Sequence, residues 1–295
     1  MSNTIFVTIA DDRYGRKQGK YSETQDKIFD LFVKNKDFGI NRLWFWKWND
    51  IVKTSFYKNN KTLLDDPDPA MNGRCYKPFI ILEGLKSIND GDFLIYNDVS
   101  PEWWNDVKIV PEHHDLDVIK NLCIDNGGIL TTAAFWMFNN EIAEHTHENF
   151  TMEICMDRMG MQQYKYSLQH AACVVVLQKN KKSMEFAEEW LYWNLIKECA
   201  AIVNWDEEVR LYGKYGHRHD QSISGLLINK MGNKLLEARL DPINQPHLSG
   251  KYNFLNFCLK YRKYYFINSN QPKSKFKINK IFDGIDWKYV RTERH

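Results

Sequence analysis

The chain has 295 residues, 43% hydrophobic and 26% charged, with a formal net charge of +2, which is ordinary for a soluble globular protein with ample material for a core. Its six cysteines are scattered without the spacing of a zinc site, so we expect free thiols in a reducing cytoplasm. No apolar run approaches the roughly 18–20 residues of a membrane helix. The strand-like start, Met1–Ala10, is followed at once by charged residues and does not resemble a signal peptide.

The hydrophobic pattern alternates between strands and helices up to about residue 240, which predicts an α/β fold with a mostly parallel sheet. Pro78 suits the first turn of a helix, and Gly232 is a suitable residue to end one. The predicted elements are, in chain order, a strand at Thr4–Ala10, a helix around Thr24–Lys34, a strand at Arg42–Trp48, a loop at Asn59–Met71, a helix at Pro78–Leu85, a strand at Phe93–Tyr96, a helix at Asp115–Asn126, a strand at Ala171–Leu177, helices at Ser183–Val203 and Asp220–Met231, and a strand at Leu235–Leu240. The sequence contains no internal repeat or low-complexity linker. We therefore predict one α/β domain, residues 1–245, followed by an extension.

The predicted extension, residues 246–295, differs from the rest of the chain in its charge. It contains 11 Lys and Arg against 3 Asp and Glu, interleaved with aromatic residues such as Tyr261 and Tyr264. Basic and aromatic residues together suit a nucleic acid, an anionic membrane surface or a phosphate-bearing acceptor. The alternative is a solvated end piece whose aromatic residues pack on or near the main domain. No RNA- or DNA-binding motif accompanies the charge, which makes nucleic acid the weaker interpretation.

An apolar strand in the middle of the chain is followed by a carboxylate. Phe93–Tyr96 has the length and composition of a buried strand in a mostly parallel sheet. The carboxyl end of such a strand reaches the crevice where α/β proteins bind ligands. Asp98 at this place requires a cation, a hydrogen-bond donor or a substrate. It is also a suitable turn residue or helix cap before Pro101.

Two polar clusters precede predicted helices. Arg74 and Lys77 lie next to the start of the helix at Pro78–Leu85, where free N–H groups already favour anions, so together they suit a diphosphate. A pair of surface cations has the same appearance in a sequence. The second cluster, His217–Ser222, precedes the last helix and contains two His, an Arg and Asp220. Asp220 can be a helix N-cap, and the histidines can be metal ligands or ordinary hydrogen-bonding residues.

These segments, in this order, resemble GT-A-type glycosyltransferases that build polysaccharides and glycans. The family pattern has a glycine, an aromatic residue, Lys-Pro, an apolar helix, Gly-Asp, an apolar strand and Tyr-x-Asp. In this sequence the matching residues are Gly73, Tyr76, Lys77, Pro78, Gly91, Asp92, Tyr96 and Asp98. His217–Ser222 resembles the family's His-x-x-Asp-Gln-Ser segment. The resemblance covers about Ile5 to Leu240 and implies a single GT-A-like (Rossmann-like) domain, with helices on a mostly parallel central sheet.

The resemblance implies a nucleotide-sugar donor at the carboxyl ends of the strands, with a UDP-sugar favoured and a GDP-sugar possible. The acceptor would be a hydroxyl of a glycan or polysaccharide. Thr8, Ala10 and Asp11 would lie near the nucleoside. Arg13 and Lys77 would face the diphosphate.

A divalent cation, Mn²⁺ or Mg²⁺, is also implied. Asp98 matches the first carboxylate of the family's Asp-x-Asp signature, whose metal ion neutralises the leaving diphosphate. The second position of the signature is Ser100 in this chain, and a hydroxyl is the weaker ligand. Either His217 or His219 completes the metal site, or basic side chains replace the ion.

Asp220 and Gln221 would be the catalytic residues. In an inverting enzyme the Asp220 carboxylate would take the proton of the acceptor hydroxyl. In a retaining enzyme, which we favour, the Asp-Gln pair would position the donor sugar. Gln169 and Gln221 would bind sugar hydroxyls, and His219 would contact the donor. Three tryptophans are candidates either for stacking on the acceptor or for the core: Trp103, Trp104 and Trp136.

Two other classes of function stay open on the sequence alone. One is a protein that binds nucleotide sugars or carbohydrates without catalysis, having kept the fold after losing the second Asp. The other is a nucleic-acid-binding protein that acts through residues 246–295. The same basic extension would also allow a cytoplasmic enzyme to contact an anionic membrane at its surface.

Overall fold

The computed structural model describes residues 2–13, 20–66, 74–104, 113–133, 135–138, 141–144, 146–200, 217–236 and 266–268. Nine strands lie in these ranges. They are β1 (Thr4–Ala10), β2 (Arg42–Lys47), β3 (Phe93–Asn97), β4 (Ile129–Leu130), β5 (Phe135–Phe138), β6 (Glu141–Glu144), β7 (Val174–Gln178), β8 (Lys234–Leu236) and β9 (Phe266–Asn268).

Five of the strands form the central sheet, in the order β2-β1-β3-β7-β4. β1 pairs in parallel with β2 and β3, whereas β7 pairs antiparallel with both β3 and β4. Four strands therefore run in one direction and β7 alone is reversed, which confirms the predicted mostly parallel sheet. Among the described residues, β5 pairs with β6 and β8 pairs with β9 as separate two-stranded sheets.

The described helices cover both faces of the central sheet. They are α1 (Lys20–Lys34), α2 (Trp48–Ile51), α3 (Ser55–Asn59), α4 (Lys61–Leu64), α5 (Tyr76–Lys86), α6 (Pro101–Trp104), α7 (His113–Asp125), α8 (His147–Phe150), α9 (Glu153–Arg158), α10 (Lys181–Asn194), α11 (Lys197–Ala200) and α12 (Asp220–Lys230). Short 3₁₀ turns lie at Lys36–Phe38 and Gln162–Tyr164.

The core lies in two layers, because alternate residues of each strand face opposite sides of the sheet. Val7 and Leu94 belong to the layer under α5, α10 and α12. Phe6 and Ile95 belong to the layer under α1 and α7. All four side chains are fully buried. The sequence thus forms an α/β fold in which the carboxyl ends of β1, β2 and β3 lie along one edge of the sheet.

Most predicted elements are present, and the differences follow from local packing. The predicted long helix at Ser183–Val203 ends at Asn194, and α11 follows after a short break. The predicted loop at Asn59–Met71 contains α4, whose Leu64 is fully buried and anchors that turn in the core. Only Phe266–Asn268 of the predicted extension is described, and it pairs with β8. The boundary at residue 245 stays a prediction.

Within the part of the chain that the structure describes, no helix is long and apolar enough to cross a membrane.

Candidate functional site

Three charged side chains from separate segments meet at the carboxyl end of β3. Lys77 lies in the first turn of α5, Asp98 directly follows β3, and Asp220 begins α12. The Lys77 Nζ lies 2.7 Å from Asp220 Oδ2 and 3.3 Å from Asp98 Oδ1. It also donates to the Ala172 carbonyl oxygen at 3.2 Å. We call these three residues the Lys77 triad; two of its side chains are almost fully buried, and that of Asp98 is 24% exposed.

The electrostatics of the Lys77 triad keep the lysine charged. Burial by itself lowers the pKa of Lys77, but the neighbouring Asp220 and Asp98 carboxylates outweigh it, and the pKa lies above its ordinary value. An ammonium with two carboxylates in a buried place is stable only when its hydrogen-bond acceptors are close. The short contact with Asp220 meets this condition.

Asp98 is fixed through its side chain and its backbone. The Tyr96 hydroxyl donates to Asp98 Oδ1 at 2.5 Å, and Tyr96 is buried, so burial and the Asp98 charge raise its pKa well above the ordinary range. The Asp98 N–H donates to the Cys173 carbonyl oxygen at 2.9 Å, and Trp104 Nε1 donates to the Asp98 carbonyl oxygen at 2.9 Å. The carboxylate therefore has a defined direction before any ligand binds.

An open pocket of about 310 Å³ lies beside the Lys77 triad. We call it the Asp98 pocket. It is lined by Ile9, Asp11, Tyr21, Arg74, Tyr76, Lys77, Tyr96, Asp98, Val99 and Ser100. A polar, partly aromatic cleft at the carboxyl ends of β1 and β3 is where a doubly wound α/β fold places a ligand.

Arg74 stands at the entrance of the Asp98 pocket in an unusual backbone conformation. Its φ of +52° lies in the left-handed region that disfavours residues other than glycine. Its carbonyl oxygen accepts from the Lys77 N–H at 3.0 Å, so the same turn carries both cations to the pocket. Strained non-glycine residues cluster at ligand sites, and Arg74 is an exposed residue that lines this pocket.

The residues predicted to contact the nucleoside occupy different environments. Thr8 is fully buried, and its hydroxyl donates to the Asn97 carbonyl oxygen at 2.7 Å, which ties β1 to β3. Ala10 belongs to the core layer under α1 and α7. Asp11 lines the Asp98 pocket.

Arg13 lies beside that wall and is held by several groups. Its Nε and Nη2 each donate to one oxygen of Asp11 at 2.8 Å, and its Nη1 donates to the Leu64 carbonyl oxygen at 2.9 Å. The guanidinium also stacks on the Trp48 ring. The described lining of the Asp98 pocket does not include Arg13. It therefore fixes the Asp11 carboxylate at the edge of the pocket.

Gln169 lies behind the Lys77 triad in a buried polar network. Its Nε2 lies 2.6 Å from Thr151 Oγ1 and 3.2 Å from the Phe150 carbonyl oxygen. Its Oε1 accepts from Gln221 Nε2 at 3.2 Å. The side chain is fully buried. The network connects Gln169 to Gln221 at the start of α12, and the described lining of the Asp98 pocket does not include Gln169.

Histidines 217 and 219 are neutral at pH 7. His217 accepts from the Met152 N–H at 3.2 Å through Nδ1, and its Nε2 donates to the Cys199 carbonyl oxygen at 2.9 Å. His219 Nδ1 donates to the Ala200 carbonyl oxygen at 2.9 Å. Burial lowers the pKa of His217 well below its ordinary value and that of His219 to about 4. His219 precedes α12 with a φ of +50°.

The residues predicted as metal ligands are not assembled into a ligand set. Asp98 and Ser100 both line the pocket, but both ring nitrogens of His217 are bonded to the backbone. Across the described ranges, no group of three or more His, Cys, Asp or Glu is placed to hold a metal ion. A bound Mn²⁺ or Mg²⁺ stays a prediction.

Some lining residues of the pocket were missed by sequence reasoning. Tyr21 lies in the first turn of α1, and no motif in the sequence marks it. Tyr76 directly precedes Lys77. Its position next to a cluster of cations is a sequence signal that could have indicated a pocket residue. Trp104 is buried and bonded to Asp98, whereas the side chains of Trp103 and Trp136 lie outside the described part.

Comparisons with known proteins give little further information. No protein-family description matches the chain, and no curated protein matches it. Among solved structures, mouse xyloside xylosyltransferase 1 in its apo form aligns with 77% of this chain and 81% of its own. The TM-score is 0.34 and the sequence identity is 8%.

Proposed function

We propose that the protein is a glycosyltransferase that moves a sugar from a nucleotide-sugar donor to a hydroxyl of a glycan or polysaccharide. The observation that carries the proposal is the meeting of Lys77, Asp98 and Asp220 beside one pocket, which Lys77 and Asp98 line. These residues come from the two sequence segments that resemble such enzymes. They meet at the carboxyl edge of the sheet, where an α/β fold binds nucleotides.

The chain's own residues can serve each part of such a transfer. The bond between the anomeric carbon and the donor phosphate oxygen breaks, and its electron pair leaves with the nucleoside diphosphate. The acceptor oxygen forms the new bond to the anomeric carbon and loses its proton. Lys77 and Arg74 would stabilise the developing negative charge on the diphosphate. Asp11 and the aromatic side chains of Tyr21 and Tyr76 would bind the nucleoside.

Asp220 suits a positioning role better than a proton-abstracting one. Its side chain is only 4% exposed, it is ion-paired with Lys77, and the described lining of the Asp98 pocket does not include it. A base for an acceptor hydroxyl must come within hydrogen-bond distance of that hydroxyl. This supports retention, in which the Asp220-Gln221 pair orients the donor and the acceptor proton passes to the leaving phosphate oxygen.

A panel of UDP- and GDP-sugars tests the proposal, with donor hydrolysis and transfer to glycan acceptors measured with and without Mn²⁺. We expect turnover of at least one donor, and a loss of about 100-fold or more in Asp98→Asn and Asp220→Asn. Asp90→Asn is the matched control, because Asp90 is 90% exposed near the opposite edge of the sheet. Absence of both turnover and binding for every donor would reject the proposal.

A second candidate is a nucleotide-sugar-binding protein without catalysis. The specific observation in its favour is that both carboxylates of the triad are already ion-paired with Lys77. Saturable binding of a donor with no hydrolysis and no transfer would establish it. The predicted roles of residues 246–295 on an anionic membrane or a nucleic acid fall almost wholly outside the described residues and stay predictions.

A further inference from the structure

Three oxygen atoms lie close to the Lys77 ammonium. Asp220 Oδ2, the Ala172 carbonyl oxygen and Asp98 Oδ1 lie 2.7, 3.2 and 3.3 Å from its Nζ. Carboxylate and carbonyl oxygens are the ligands that hard cations such as Mg²⁺ prefer. In this protein the Lys77 ammonium lies among such oxygens. The ammonium is ion-paired with two carboxylate oxygens and hydrogen-bonded to a carbonyl oxygen that a divalent ion would otherwise need.

The other predicted ligands are engaged elsewhere or are weak. Asp98 Oδ1 also accepts from the Tyr96 hydroxyl. Both nitrogens of His217 are bonded to backbone groups. Ser100 offers a hydroxyl where the family pattern has a carboxylate. A divalent ion at Asp98 would therefore have to displace Lys77 from its contact with that carboxylate.

Lys77 and Arg74 together can supply the charge that a diphosphate requires. The 3.3 Å contact of Lys77 with Asp98 is the longer of its two ion pairs. The ammonium can exchange that contact for a phosphate oxygen while Asp220 still holds it. Arg74 belongs to the same wall of the pocket. Its planar guanidinium can bind two phosphate oxygens at once.

We infer that this site binds the diphosphate of its ligand without a divalent cation, with the Lys77 ammonium in the place of that ion and the Arg74 guanidinium beside it. The inference rests on the proposed function, because it concerns the diphosphate group of the proposed donor. It goes further than that function by replacing the predicted metal with two named side chains.

Calorimetric titration of UDP and of GDP into the whole protein tests the inference without any need for turnover. One series contains EDTA and the other contains MnCl₂. We expect binding in EDTA, with a Kd that changes by less than about threefold in Mn²⁺. Binding that appears only with Mn²⁺, or strengthens tenfold or more, would overturn the inference and leave the proposed function standing. No binding of either nucleotide in both series would reject the proposed function, and the inference with it.

Variants assign the binding energy to the two cations. Hydrogen bonds to charged groups contribute about 1.5–3 kcal/mol, so Lys77→Met and Arg74→Gln should each weaken nucleotide binding in EDTA by about 10- to 100-fold. Lys179→Met is the control, since Lys179 binds the Ile88 carbonyl oxygen at the opposite end of β7. Arg74 is exposed, so its variant reports on binding even where Lys77→Met does not fold. Unchanged affinity in Arg74→Gln, or in a folded Lys77→Met, would contradict the inference.

Discussion

At the residue scale, the site is built around a buried positive charge. Lys77 has a side chain only 6% exposed, and Asp220 is the closer of its two carboxylate partners. Desolvation of an ion costs several kcal/mol, which only close and well-directed partners offset. The stability of this region and the geometry of the pocket therefore depend on the same contacts.

We predict that Asp220→Asn lowers the free energy of unfolding by about 3 kcal/mol. The variant leaves the buried Lys77 ammonium with one carboxylate partner, the more distant Asp98. Asp98→Asn should have the smaller effect, since its contact with Lys77 is longer and the carboxylate is partly exposed. Urea denaturation followed by circular dichroism measures both. Asp90→Asn, at an exposed pair 3.9 Å from Lys179, should leave the urea midpoint unchanged. Equal midpoints for Asp220→Asn and the parent protein would contradict this account.

The members of the Lys77 triad were predictable from the sequence, but their contacts were not. Residue type and the order of the segments identified Lys77, Asp98 and Asp220. No sequence signal indicates that the Lys77 ammonium is ion-paired with both carboxylates. The pairing of Arg13 with Asp11 was not predictable from the sequence either. The two side chains are two residues apart, and their bidentate contact depends on the turn that follows β1.

At the element scale, α12 sets the position of Asp220. Its Gly225 faces His147, and a Cβ at this glycine would lie 2.9 Å from the His147 ring. The ring is fully buried and is fixed between Thr151 and Asn229 by hydrogen bonds of 2.7 and 2.9 Å. The close approach of helix and ring therefore requires a residue without a side chain.

We predict that Gly225→Ala destabilises the protein by about 1–2 kcal/mol, since the overpacking exceeds the roughly 1 kcal/mol that alanine gains in a helix. Thermal denaturation measures the effect. A double-mutant cycle with His147→Ala gives the control, because removal of the ring should abolish most of the penalty of the alanine. If Gly225→Ala lowers the stability equally with and without His147→Ala, the contact with the His147 ring is not the cause.

The sequence indicates the elements better than their pairing. β1 has the predicted bounds, because seven consecutive apolar or β-branched residues have no competing helical pattern. The reversal of β7 is invisible in its apolar run, since a buried antiparallel strand has the same composition as a parallel one. β4 has two residues, which is too short for any periodicity.

At the scale of the whole molecule, four histidines are neutral, three of them buried and the fourth, His219, partly buried. Burial lowers the pKa of His147 and of His170 to about 3 and that of His219 to about 4, and the pKa of His217 lies well below its ordinary value. They belong to the networks behind the Lys77 triad; His170, for example, is bonded to Ser224 of α12 at 2.5 Å. Protonation of these histidines at low pH should therefore destabilise both the fold and the surroundings of the Lys77 triad.

We predict a steep loss of stability as the pH falls below about 6.5, where unfolded histidines take up protons. The folded pKa values are depressed, so the stability is present above pH 6.5 and is lost as the pH falls towards 4. Each histidine contributes about 1.4 kcal/mol per pH unit in this window, so four together contribute about 5.6 kcal/mol per pH unit. This is a large part of the usual stability of a domain. Urea midpoints at pH 7.5, 6.5 and 5.5 measure the effect, and a midpoint independent of pH would contradict it. His170→Gln should flatten the pH dependence by about a quarter.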